Sequence, residues 1–197
     1  MLMRMLRGAG VRGMAGIRTT RVLDAAVTVV RPMLSVSHAD TVALCEQCGW
    51  VWNDDTTNRD ESRLRAALRA RVLPALRSVQ PAAASRASRT AASLASADDA
   101  ISSLAEAVLA EATIDEQTGA FRLEYERFVE LPDSVIVSLV RQIYTRIMGN
   151  SGLDRLSQSA MRDLIRGLRG ATVDSIQHEL AEIKLRVSEG VVEFCKK

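Results

Sequence analysis

The sequence predicts an α+β fold that is mostly helical. Apolar residues recur at the three- and four-residue spacing of a buried helix face over several long stretches, whereas strand-like alternation is confined to short ones. Hydrophobic residues make up 47% and charged residues 25% of the 197 residues, which is ordinary for a globular protein. The length suffices for one compact domain or two small ones. Aromatic residues are only 4%, so the core must consist mainly of Leu, Val, Ile and Ala.

Positive charge is concentrated in the first part of the chain. Residues 1–78 contain 12 arginines and 7 acidic residues, although the net charge of the whole chain is only +2. Of the 26 basic residues only Lys184, Lys196 and Lys197 are lysines, and the forked guanidinium group of arginine suits contacts with phosphate. This bias predicts contact with phosphate or nucleic acid. A GC-rich genome, which also enriches alanine, is the alternative explanation of the composition.

Cysteine usage and hydropathy predict a cytoplasmic protein without a membrane segment. Three cysteines do not make a disulfide framework, and no secretory signal precedes them. The longest apolar run near the start covers residues 25–30, far too short to span a bilayer.

The first sixteen residues predict a short helix followed by a glycine-rich bend. Leu2 to Leu6 suit one or two helical turns, but no capping residue precedes them. Gly8, Gly10 and Gly13 formally match the G-x-G-x-x-G fingerprint of dinucleotide binding, which requires a preceding strand that this sequence does not offer. The glycines therefore predict a loop that lets the backbone pass close to another group.

A short strand and a capped helix come next. Residues 26–30 are β-rich and end at Arg31-Pro32, as in an edge strand. Ser37 is a suitable N-cap for a helix that ends at about Cys48, before Gly49. Cys45 and Cys48 form a C-x-x-C pair at the wrong end of this helix for a redox thiolate, and no matching spacing supplies the other ligands of a zinc site.

The stretch from Trp50 to Leu76 is the most informative. A short extended segment around Trp50 and Trp52 leads into an acidic and polar loop, and a helix is expected from Ser62. Its apolar stripe comprises Leu64, Leu68, Val72 and Leu76. Arg65 and Arg69 are four residues apart and therefore share one face of that helix. The pattern fits a site for a cationic and an anionic group, or a capped surface helix with solvated charges.

The remaining sequence alternates helices with short strands. The expected elements are a long helix or helix pair from Pro81 to about Thr113, a turn at 115–119, a strand at 121–125, helices at 131–148 and 157–168, and a hairpin formed by 183–187 and 191–195. The apolar stripe of the helix at 131–148 comprises Val135, Leu139, Ile143 and Ile147.

Four segments in order resemble the tRNA(Ile)-lysidine synthases, which belong to the N-type ATP pyrophosphatase superfamily. The family combines an L-x-R-x-x-R-G-x-G-x-x-G-L-x-G-like bend, an R-P-L-L strand end, a W-x-E-D-x-[ST]-N-x-D loop and an R-N-x-L-R-x-x-x-x-P-x-L helix. The corresponding residues here are 2–16, 31–34, 52–60 and 65–76. Ala66 stands in place of the family's Asn, Asp54 in place of a frequent Glu, and His38 in place of a frequent Arg. The resemblance is clear over residues 1–78 and weaker beyond.

The resemblance implies a chain truncated at its N terminus. The family's phosphate loop, S-G-G-x-D-S, and its H-x-x-D-D-x-x-E-T stretch do not occur in this sequence and would lie before Met1. The implied architecture is the tail of a doubly wound α/β ATP pyrophosphatase domain at 1–78, a helical domain at 79–170 and a short β hairpin tail at 171–197. The sequence by itself contains no complete catalytic, metal-binding or phosphate-cradling set.

The activity implied by the resemblance is ATP-dependent ligation of lysine to C2 of the wobble cytidine of tRNA(Ile), with Mg²⁺ beside the triphosphate. The matched motifs imply these pocket residues: Arg7, Gly8, Gly10, Asp55, Asn58, Arg65 and Arg69. In this interpretation Arg65 and Arg69 contact phosphate or nucleotide, whereas Asp55 and Asn58 shape the loop. The alternatives are an Asp–Arg pair that only fastens the loop to the helix, a related cytidine thiolase, and a non-catalytic helical module that binds tRNA or protein.

Overall fold

The computed structural model describes residues 1–23, 26–53, 58, 60–149, 153, 156–170 and 176–197. The chain divides into two compact units, Met1–Asp98 and Asp99–Lys197. The predicted domain limits after residues 78 and 170 stay a prediction.

The described residues of the first unit form short helices and one small hairpin. Its elements in chain order are α1 (Leu2–Met5), α2 (Val11–Met14), β1 (Thr20–Val22), β2 (Thr28–Val30), a 3₁₀ turn (Pro32–Ser35), α3 (His38–Gln47), α4 (Leu64–Ala67), a π-helical segment (Leu68–Val72), α5 (Leu73–Val79) and the beginning of α6 (Ala83–Ala110).

The glycine-rich bend lies between α1 and α2, as predicted. Gly8 adopts a φ of +69°, in the left-handed region that glycine enters without steric cost. The Arg4 guanidinium donates to the carbonyl oxygens of Gly13 (2.7 Å) and Gly16 (2.9 Å), so it satisfies backbone acceptors just beyond the bend. A helix rather than a strand precedes these glycines, which is not the context of a dinucleotide-binding fingerprint.

The predicted strand at 26–30 is confirmed as β2, with a partner that the sequence did not reveal. β2 pairs antiparallel with β1, and Thr20 lies opposite Val30. All strand pairs within the described residues are antiparallel. The parallel strands expected of a doubly wound domain are therefore not found among these residues.

The capped helix α3 agrees with its prediction at both ends. Ser37 and Asp40 form a capping box in which the Ser37 hydroxyl accepts from the Asp40 amide (3.1 Å). The hydrogen bonds from Ser37 also lower the pKa of the Asp40 carboxyl. Cys48 is the C-cap residue, and Gly49 follows with a φ of +66°.

The helix expected from Ser62 begins at Leu64 and contains the π segment. Pro74 explains the segment, because a proline lacks an amide hydrogen and its ring clashes with the carbonyl of the residue four positions earlier. The predicted apolar stripe is not buried as a whole. Leu68 is 8% exposed, whereas Leu64 and Leu76 are about 40% exposed.

The second unit is built around a five-stranded antiparallel sheet. The strands are β3 (Thr113–Ile114), β4 (Phe121–Glu124), β5 (Ile176–Leu180), β6 (Ile183–Ser188) and β7 (Val191–Lys196). Their order in the sheet is β3-β4-β7-β6-β5. The predicted turn at 115–119 joins β3 to β4, and the predicted C-terminal hairpin is β6–β7.

The hairpin lies at the centre of this sheet. Leu185 lies opposite Phe194 and Val187 opposite Val192, and all four side chains are completely buried. Two central strands with a buried face need neighbouring strands and a covering layer, which is why the hairpin is integrated.

Helices cover the buried face. They are the end of α6, α7 (Tyr125–Glu130), α8 (Asp133–Met148) and α9 (Gln158–Gly170). Val135, Leu139 and Ile143 of the predicted α8 stripe are buried, and Ile147 is partly buried against the same core. Phe128 packs on Phe194 with ring centroids 5.9 Å apart. No helix of the described residues is long and apolar enough to cross a bilayer.

Candidate functional site

The predicted pocket residues fall in two places of the first unit. Arg7, Gly8 and Gly10 lie in the bend between α1 and α2, and all three are exposed. A Cβ placed on Gly8 would meet nothing within 4 Å, so the bend is open on that side. Asn58 is exposed, and Asp55 lies outside the described residues.

Arg65 and Arg69 are the second place. Arg65 belongs to α4 and Arg69 to the π segment, and both are exposed. Ala66 and Leu68, which lie between them in sequence, are buried. Neither guanidinium makes an ion pair or a hydrogen bond within the part of the chain that the structure describes. Both are therefore free to bind an anion from outside.

The beginning of the helix is fastened by its own acidic residues. The Asp60 carboxylate accepts from the Ser62 hydroxyl (2.6 Å) and the Ser62 amide (3.1 Å), and these bonds lower its pKa. Asp60 also pairs with Arg63 at 3.3 Å. The Glu61 carboxylate accepts from the Arg71 Nε at 2.6 Å.

Acidic residues therefore do fasten the loop to the helix. Their partners are arginines other than the Arg65 and Arg69 that the sequence analysis selected. Arg63 pairs with Asp60 and Arg71 with Glu61, while Arg65 and Arg69 have no carboxylate partner within the described part of the chain. Glu61 and Arg71 are ten residues apart, and Arg71 belongs to the π segment. No regular helical spacing corresponds to that separation, so no sequence signal could have identified it.

The two groups of predicted residues are not joined directly. Within the described residues no hydrogen bond or ion pair connects Arg65 or Arg69 with the bend at Arg7 to Gly10. The bend is instead held by the Arg4 contacts with Gly13 and Gly16.

The described residues offer neither a metal-binding cluster nor a disulfide at this site. Cys45 is half-buried and Cys48 exposed, and both thiols are free. Among the described residues no three His, Cys, Asp or Glu side chains are grouped closely enough to hold a metal ion.

Charged residues of the second unit mostly neutralise one another. Arg122 pairs with Asp115 (3.1 Å) and Glu193 (2.9 Å), and Arg127 pairs with Glu111 (2.6 Å). The hydrogen bond with Glu193 raises the pKa of Arg122, and hydrogen bonds from Thr118 lower that of Asp115. Arg122 and Arg127 therefore have carboxylate partners, whereas Arg65 and Arg69 have none among the described residues.

Comparison with known proteins identifies relatives of the same part of the chain. A family model for the PP-loop domain matches residues 1–76. The tRNA(Ile)-lysidine synthase of Pseudomonas fluorescens is 35% identical over 137 residues, 68% of this chain and 31% of that protein. The enzyme of the same name from Methylococcus capsulatus is 33% identical over 146 residues, 74% of this chain and 33% of that protein. That from Salinispora tropica is 45% identical over 94 residues, 46% of this chain and 27% of that protein.

The matched segment contains every pocket residue that the motifs suggested, from Arg7 to Arg69. The chain spans about a third of the length of the first two relatives. On these similarities, the chain belongs to the tRNA(Ile)-lysidine synthase family of PP-loop proteins.

Proposed function

We propose that this chain forms part of an ATP-dependent ligase that joins lysine to C2 of the wobble cytidine of an isoleucine tRNA. Its relatives carry the name of that enzyme. The observation that carries the proposal is that the guanidiniums of Arg65 and Arg69, within the PP-loop match, have no partner among the described residues. Two arginines four residues apart on a helix can hold a phosphate between them or contact neighbouring phosphates.

In this proposal Arg65 and Arg69 bind phosphate of the nucleotide or of the tRNA. Their neighbours Arg63 and Arg71 are already neutralised by Asp60 and Glu61, so those carboxylates do not compete for the free pair. The exposed bend at Arg7 to Gly10 lies beside the nucleotide, where glycine lets the backbone approach a ligand closely. We further propose, from the matched motif, that Asn58 and Asp55 contribute to binding the lysine.

The described residues fit the negative charge of ATP better than they fit Mg²⁺. Free guanidiniums suit phosphate oxygens, but no carboxylate cluster of the kind that holds a divalent cation occurs among the described residues. The motif S-G-G-x-D-S is not found in the 197 residues. We therefore assign the cradling of the triphosphate and its metal ion to a segment outside these residues.

The exposed apolar side chains of the first unit support that assignment. Val22, Val30, Val51 and Trp50 are each at least 60% exposed. An apolar surface of this kind is typical of an interface that another part of a protein covers. The remaining sheet of a PP-loop domain is the partner that we propose for it.

The alternative is a non-catalytic module that binds tRNA or protein. It is favoured by the same free arginines together with the absence of a carboxylate cluster among the described residues. The two proposals differ in their requirement for ATP, because a binding module holds tRNA without it.

The test uses the protein isolated from its own cells, with its intact mass recorded first. We expect labelled lysine to become attached to tRNA(Ile) only in the presence of ATP. Arg65→Ala and Arg69→Ala should each lower kcat/KM at least about tenfold, because a lost charged hydrogen bond costs about 1.5–3 kcal/mol. Arg146→Ala, an exposed arginine of the second unit, is the matched control.

If both variants attach lysine with the kcat/KM of the wild type, Arg65 and Arg69 do not belong to the site. Binding of tRNA without any ATP-dependent attachment of lysine would favour the module. A mass of about 21.5 kDa together with activity would show that these residues suffice, and would overturn the assignment of the phosphate cradle to another segment.

A further inference from the structure

A long segment in which arginine is the only charged residue type continues beyond the proposed pocket. Residues 62–97 contain seven arginines and no acidic residue. The whole segment belongs to the first unit and forms α4, the π segment, α5 and the beginning of α6. No other charge therefore offsets these arginines along the segment itself.

Most of these arginines have no partner among the residues that the structure describes. Arg63 and Arg71 pair with Asp60 and Glu61. The other five are exposed and make no side-chain hydrogen bond or ion pair within the described part of the chain: Arg65, Arg69, Arg77, Arg86 and Arg89. The last three lie outside the motifs that carry the family resemblance.

Arg77, Arg86 and Arg89 are close to one another along the chain. Arg86 and Arg89 are three residues apart on α6 and share one side of it. Arg77 lies in the last turn of α5, and Gln80 closes the connection by accepting from the Ala83 amide at 2.9 Å. Two short helical pieces and this turn keep the Cα atoms of Arg77 and Arg86 within about 20 Å. A nucleic-acid duplex presents on the order of ten phosphates over that length.

The residues around these arginines favour RNA over a membrane surface. Arg86 and Arg89 are surrounded in sequence by Ala84, Ser85, Ala87 and Ser88, which are small and let a phosphate backbone come close. A helix that lies on a membrane needs bulky apolar side chains beside its basic ones, and residues 82–93 contain none. Guanidinium groups bind phosphate oxygens in a forked geometry.

We propose that Arg77, Arg86 and Arg89 form a second RNA contact, which holds the phosphate backbone independently of base sequence. This contact is distinct from the pocket at Arg65 and Arg69, because it lies on α5 and α6 and needs neither ATP nor lysine. It rests on the proposed function only in taking tRNA as the RNA. Its role is to hold the tRNA body while the wobble base is presented to the pocket.

The test is binding of the protein to tRNA without ATP and lysine, measured from about 50 to about 200 mM salt. The triple variant Arg77→Gln/Arg86→Gln/Arg89→Gln should raise Kd at least about tenfold near 100 mM salt. The slope of log Kd against log salt should fall by about 2 to 3, since each lost phosphate contact accounts for about 0.7–0.9. Glutamine preserves helix propensity, and circular dichroism checks that the helices persist.

The matched control removes the same charge from the second unit. Arg146, Arg162 and Arg186 are exposed and make no ion pair within the described residues, and their combined change to Gln should leave Kd within about twofold and the salt slope unchanged. If the control weakens tRNA binding as much as the triple variant does, the weakening is due to net charge alone and the proposal is overturned.

Two further outcomes would also overturn the contact. One is a protein that does not bind tRNA at low salt, and the other is a triple variant with an unchanged salt slope. If the protein binds phosphatidylserine vesicles more strongly than tRNA, and the triple variant loses that binding, the ligand of these arginines is a membrane surface and not RNA. If the triple variant still attaches lysine and its salt slope is unchanged, the second RNA contact alone is contradicted. If the triple variant has a reduced salt slope but the wild type has no ligase activity, only the proposed enzyme activity is contradicted.

Discussion

The two units are almost equal in length but differ in how they treat their apolar residues. Among the described residues the first unit buries only Ala15, Ala66 and Leu68, whereas the second buries most of its leucine, isoleucine, valine and aromatic side chains. The first unit leaves Val51 96% and Val79 85% exposed. The second unit contains a complete hydrophobic core, and the first presents apolar residues in elements that pack on little.

The difference shows that local structure and burial have separate causes. Helix α3 of the first unit has a capping box and a glycine stop, which need only neighbours in sequence. A core needs a second layer, which the second unit builds by placing α8 and α9 on its sheet. We therefore expect unfolding of the second unit to be cooperative and the first unit to open locally at lower free energy.

The largest expected effect contrasts the same substitution in both units. Leu139→Ala in α8 removes a side chain that is completely buried, and should lower the free energy of unfolding by about 2–5 kcal/mol because it leaves a cavity. Leu44→Ala in α3, where the side chain is 51% exposed, should cost less than about 1 kcal/mol. Urea unfolding followed by circular dichroism measures both, and equal costs would mean that the first unit has a core as well.

A smaller effect concerns pH and compares one carboxylate from each unit. Hydrogen bonds from Thr118 and Gln117, with the charge of Arg122, lower the pKa of Asp115 in the folded state. This stabilisation is complete above the unfolded pKa of about 3.9 and is lost as pH falls through the lower folded value. The advantage of the wild type over Asp115→Asn in urea unfolding should therefore vanish on acidification.

Asp60 is the counterpart in the first unit, with a pKa lowered by its hydrogen bonds from Ser62. Asp60→Asn should change the cooperative unfolding less than Asp115→Asn, because Asp60 stabilises the start of a helix that packs on little. A larger effect of Asp60→Asn at neutral pH would contradict the contrast between the units.

The smallest expected effect on stability concerns the exposed valines. Val22→Thr, Val30→Thr and Val51→Thr should each change the free energy of unfolding by less than about 0.5 kcal/mol, since little apolar area is buried at these positions. Threonine keeps the strand propensity of β1 and β2. Light scattering should show less aggregation of the triple variant, and unchanged aggregation would mean that these side chains are not the apolar surface that associates.

Most helices, one turn between strands and one hairpin could be predicted from the sequence. The limits of α3, α8 and α9, the turn at 115–119 and the pairing of β6 with β7 follow from caps, proline, glycine and apolar periodicity, which act over a few residues. The candidate site stays a prediction. Arg65 and Arg69 lie in the helical stretch that the sequence predicted, whereas the ion pair Glu61–Arg71 does not follow from any spacing.

The sequence by itself therefore determined the local elements, the positive charge of the first unit and the family resemblance, because each depends on residues close together in the chain. Only the tertiary structure decided which arginines are neutralised, since ion pairs depend on distances that the π segment before Pro74 alters. It also decided that the C-terminal hairpin is the centre of a five-stranded sheet, because the pairing of β7 with β4 joins residues about seventy positions apart. Burial likewise required the folded chain: valines of similar local pattern are exposed at Val30 and buried at Val187, because only the second has a layer of helices against its strand.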